Sequence, residues 1–124
     1  MVPKAKAEEL LRRIDEQKRQ SEMAARQLEN DVAACGDDYD KAIAIVTQRA
    51  RDTTLPEGTA DALLARLRLA RDEQIARNAF NLINRGRFDQ AEALIARLPA
   101  DSPAARESRR RLNDARNARE KALA

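Results

Sequence analysis

One short block of this chain occurs twice, and that repetition constrains the fold more than any other feature. Tyr39-Asp40-Lys41-Ala42-Ile43-Ala44-Ile45-Val46 matches Phe88-Asp89-Gln90-Ala91-Glu92-Ala93-Leu94-Ile95 in pattern: an aromatic, an Asp, a polar residue, an Ala and a closing aliphatic pair. A glycine precedes each copy, Gly36 and Gly86, in a chain that holds only 3 glycines. A unit that ends one helix at Gly and opens the next at aromatic-Asp-x-Ala is a helical hairpin. Two hairpins in 124 residues predict an all-α chain, and stacked hairpins usually present a surface that holds other proteins.

The rest of the sequence supports helices throughout. Charged residues make up 36% and aromatics 2%, so a core must come from Leu, Ile, Val and Ala on long solvated helices. The three- and four-residue recurrence of Leu11, Ile14, Ala25, Leu28 and Val32 predicts a first helix over about 5–34, interrupted by Lys18 and Ser21. Gly36 stops it, and Asp37 or Asp38 caps a short second helix over about 39–51. The break at Thr53-Thr54-Leu55-Pro56-Glu57-Gly58 leads to Thr59 as N-cap of a long third helix, about 60–84. A short fourth helix spans about 88–98, and Ser102 caps a fifth that reaches about residue 122. The order is long, short, long, short, long. The expected organisation is a single helical domain over 1–124, with one hairpin at 5–51, a second at 59–98 and a basic helix at 103–122.

The second copy of the block resembles the central stretch of a tetratricopeptide (TPR) repeat, whose mark there is Gly, any residue, an aromatic, Asp, any residue, Ala. Gly86, Phe88, Asp89 and Ala91 occupy those places, Pro103 falls where the family's closing proline does, and Ala79 where a small residue lets two helices approach. The first copy carries one extra residue between glycine and aromatic, and 49 residues separate Ala42 from Ala91, against a TPR period of about 34. An irregular, TPR-like pair of hairpins is therefore expected. The resemblance implies a peptide groove on the first helix of the second hairpin, with Arg77, Phe80, Ile83 and Asn84 as contact residues and Arg106, Arg110 and Arg111 assisting. The family's carboxylate clamp is not carried over, because Gln27, Asp31 and Glu107 stand at its other places.

The surplus length of the first and third helices predicts a projection on which Leu10, Leu11 and Ile14 meet Leu63, Leu64 and Leu67. Such a projection would join two copies of the chain or dock a partner's helix; alternatively it closes on itself as a three-helix bundle.

Charge and residue usage narrow the chemistry. The chain has no His and a single Cys, Cys35, which removes a His general base, a His-bearing metal site and an internal disulfide. Asp37, Asp38 and Asp40 cluster beside Gly36, but helix capping explains them without a cation. We expect no catalytic activity, cofactor or metal. The net charge of +3 is carried by residues 104–124, which hold 7 basic and 3 acidic groups, while the preceding segments balance within one charge. Arg106, Arg109, Arg110, Arg111, Arg116, Arg119 and Lys121 thus offer nucleic-acid binding as an alternative, although consecutive arginines fan around the helix and no aromatic platform accompanies them. The principal expectation is a non-catalytic protein-interaction module, an adaptor or a small inhibitory protein; a structural subunit of a phage or secretion assembly is a further alternative. Without an apolar leader or a stretch of roughly 20 apolar residues, a cytoplasmic location away from membranes is expected.

Overall fold

The computed structural model describes residues 3–123. It contains five α-helices: α1 (Lys4–Ala34), α2 (Tyr39–Asp52), α3 (Thr59–Asn84), α4 (Phe88–Ile95) and α5 (Pro103–Leu123). Among the described residues there is no strand. The fold is all-α, in the long-short-long-short-long order. None of these helices is long and apolar enough to cross a membrane.

The chain divides into two compact units, Met1–Arg68 and Leu69–Ala124, with the boundary inside α3. The sequence grouping assigned the whole third helix to the second hairpin. Its front half, however, supplies Leu63 and Leu67 to the core of the first unit, and its rear half supplies Ile75, Ala79 and Ile83 to the second. Each unit is thus three-helical, because a two-helix hairpin of this composition leaves one apolar stripe uncovered.

In the first unit, Leu28 and Val32 of α1 pack with Ala42 and Val46 of α2 and with Leu63 and Leu67 of α3. Gly36, at φ +60°, reverses the chain after α1, a conformation that side-chain-bearing residues rarely adopt. Asp38 then caps α2, its Oδ1 accepting from the Lys41 backbone N–H at 3.2 Å. Asp31 on α1 ties α2 in place by accepting from the Arg49 guanidinium. Nothing comparable holds the first part of α1, where every residue from Pro3 to Gln20 is exposed.

The second unit closes more tightly. Gly86, at φ +75°, ends α3 in a full Schellman turn: its N–H reaches the Ile83 carbonyl at 3.0 Å, and the Arg87 N–H reaches Leu82 at 2.9 Å. Ala79 and Ala91 are completely buried, so α3 and α4 cross at the short distance only small residues allow. Leu112 of α5 covers this contact, while Ile75, Leu98 and Ala105 form an adjoining cluster. Tight i to i−3 bonds at Arg97 and Leu98 end α4 at Ile95 rather than at 98. Ser102 caps α5 as expected, its Oγ accepting from the Ala105 N–H at 3.1 Å.

Candidate protein-binding surfaces

The first candidate surface lies on α1. Leu10, Leu11 and Ile14 are 54%, 62% and 58% exposed. The expected meeting of these residues with Leu63, Leu64 and Leu67 does not form. Leu63 and Leu67 are buried in the first unit's core and Leu64 is half-buried against it. The reason is competition: Leu28 and Val32 offer a more continuous apolar partner than the Lys18 and Ser21 region, so α3 packs there. Leu10, Leu11 and Ile14 remain without cover.

The second candidate surface lies in the second unit. Phe80, Ile83, Asn84 and Arg111 line one shallow depression together with Asp114 and Ala115, so the fold unites four of the seven residues expected to bind a partner. Ile83 forms its buried floor and belongs to the core, whereas Phe80 is half-buried. The Arg111 guanidinium sits 4.2 Å from the Phe80 ring centroid, a cation–π contact. Arg77 and Asn84 are exposed. Arg106 and Arg110 lie elsewhere on α5, directed to other partners.

Those partners are internal. Glu107 accepts from Arg110 at 2.7 Å and from Arg111 at 3.0 Å, and these two guanidiniums hold its carboxyl down to about 2. Arg106 and Arg109 donate to the carbonyls of Asp101 and Ala100, both at 2.8 Å, bracing the loop before α5. Arg116 reaches Glu92 at 2.9 Å, and the Arg119 guanidinium lies over Phe88 at 5.5 Å. The sequence registered these groups as a basic field. The fold uses Arg106, Arg109, Arg111, Arg116 and Arg119 as braces between α5 and its neighbours and pairs Arg110 within α5, which leaves a phosphate fewer uncommitted donors.

One surface went unnoticed in the sequence. Ile95, Leu98 and Leu112 floor a groove of about 380 Å3 between α4 and α5, with Glu92, Arg109 and Arg116 on its rim. Each residue is ordinary in its own helix, and no local pattern marks their convergence. Asp38 is committed to its cap, and among the described residues no group of three or more carboxylates or thiols is placed to hold a metal ion. No family model matches the sequence, and neither a curated protein nor a solved structure is significantly similar to the chain.

Proposed function

We propose that this chain is a non-catalytic protein-interaction module, an adaptor or a small inhibitory protein that works through the surfaces of its helical hairpins. The observation that carries this reading is the uncovered apolar stretch of α1. Three large aliphatic side chains stand in water on a helical segment that contributes nothing to either core. Scattered exposed leucines are normal, but Leu10, Leu11 and Ile14 lie together on one face, as a docking helix requires. The depression around Phe80 is a second contact area. The TPR-like character of the second hairpin rests on the Gly86 turn and on the two buried alanines at its crossing. The half-buried, unpaired Cys35 suits the reducing cytoplasm.

The test is affinity capture from the source cells with and without nuclease treatment, with wild type beside an Ile14→Glu variant. A protein recovered at stoichiometric yield in moderate salt, and lost with the variant, is the expected result. Recovery of nucleic acid alone, abolished by nuclease, would overturn the reading in favour of the α5 arginines.

A further inference from the structure

The exposed stretch of α1 continues the face that builds the first unit's core. Ala7, Leu11, Ile14, Lys18, Ser21, Ala25, Leu28 and Val32 follow one another in alternating steps of four and three, the seam of a heptad repeat. Its far end is covered by α2 and α3 at Leu28 and Val32, and its near end is open.

The rows flanking this seam differ in charge. Along one edge stand Glu8, Asp15, Glu22 and Glu29, every seventh residue and all acidic; along the other stand Leu10, Gln17 and Ala24, uncharged over the open part of the seam, and then Asp31, which Arg49 of α2 already engages. Arg12, Arg19 and Arg26 form the row behind the acidic edge, farther from anything seated on the seam. At Lys18 a cation interrupts the seam itself. A second copy of α1 matches this surface poorly. In parallel register Lys18 would face Lys18, and in antiparallel register the acidic edges would face each other. An anionic membrane seated on the seam would meet this acidic edge ahead of the arginine row.

We propose that the open seam of α1 receives an amphipathic helix from a different protein, one with aliphatic seam residues, Lys or Arg along the edge that meets Glu8, Asp15 and Glu22, and a carboxylate opposite Lys18. This rests on the interaction-module reading and specifies its partner. The docked helix extends the coiled-coil face upward from Leu28, and Leu10 widens the apolar contact on the uncharged side. An edge ion pair of this kind contributes roughly a factor of 1.5 and a like-charge contact costs about as much, so three positions discriminate about tenfold between basic and acidic partners.

The experiment uses the full chain and two synthetic helices of three heptads. Both carry Leu at the seam positions and one Glu placed to face Lys18; the flanking rows are Lys in one and Glu in the other. Fluorescence anisotropy at low salt is expected to show the Lys-flanked helix binding about tenfold more tightly, with the preference shrinking as salt rises. The variant Glu8→Gln/Asp15→Asn/Glu22→Gln, its helicity checked by circular dichroism, should bind the two helices equally, and Ile14→Glu should bind neither. Equal binding of both helices to wild type, or binding of neither, overturns the proposal. So does sedimentation showing a wild-type dimer that Ile14→Glu converts to monomer, which would assign the seam to a second copy. A cellular partner retained by Ile14→Glu in the capture experiment would leave the interaction-module reading standing and remove only this one.

Discussion

Alanine substitution at two places on the α1 seam separates what the fold requires from what it leaves over. Leu28 is 0% exposed and belongs to the core cluster that α1, α2 and α3 build together, so Leu28→Ala removes buried methyl groups and leaves a cavity. The expected loss is about 2–5 kcal/mol. Leu11 and Ile14 are 62% and 58% exposed on the same face, and little apolar surface returns to water when they are cut back. Ala is also the better helix former, so Leu11→Ala/Ile14→Ala should change global stability by no more than about 0.5 kcal/mol in either direction. The chain has no Trp and one Tyr, Tyr39, which packs against the first unit's core, so its fluorescence during urea unfolding reports that unit. The midpoint should fall sharply for Leu28→Ala and stay in place for the double variant, with equal slopes. A loss of about 1.5 kcal/mol or more in the double variant would refute the reasoning, since it would mean the front of α1 is already covered in the free protein.

Other outcomes follow from single features. Gly86→Ala should cost about 1 kcal/mol or more by thermal melting: a Cβ there meets nothing within 4 Å, so the loss is that of holding φ at +75°. Ser108 is 0% exposed and its Oγ has no hydrogen-bond partner among the described residues; Ser108→Ala should therefore stabilise by about 1 kcal/mol, read as a higher urea midpoint. Glu107 ionises at about 2 in the fold against an ordinary 4.5, because Arg110 and Arg111 bond to its charged form. Its contribution to stability is complete above about 4.5 and disappears as the pH falls towards 2. Melting curves of wild type and Glu107→Gln should differ above that window and converge below it, with a gap that narrows in high salt because the group is exposed to solvent. Phe80→Ala should weaken any ligand that sits in the second unit's depression and leave binding to the α1 seam unchanged in the anisotropy assay.

Much of the local structure is legible in residue order alone. Helix positions follow from three- and four-residue apolar spacing, and the turns at Gly36 and Gly86 from glycines placed ahead of aromatic-Asp-x-Ala. The caps at Asp38 and Ser102 follow from side chains that accept backbone N–H groups three residues on. These are short-range effects, decided within one or two turns of chain. The one-residue difference between the two copies also has a local consequence. Gly36 makes the i to i−3 bond of its turn to Ala33, whereas the turn at Gly86 forms both bonds of the Schellman pattern.

Tertiary structure decided the rest. The division of α3 between two cores depends on which stretch of α1 competes best for Leu63 and Leu67, and residue spacing within either helix does not rank those choices. The roles of the α5 arginines depend on the backbone carbonyls, Glu92 and aromatic rings that folding brings to them; the cluster itself is indifferent between bracing a loop and meeting a phosphate. The exposure of Leu10, Leu11 and Ile14 is settled the same way. Their spacing marks an apolar face in the sequence, but whether another helix covers that face depends on long-range packing, where burial of Leu28 and Val32 against two helices outweighs the weaker contact Lys18 and Ser21 would permit.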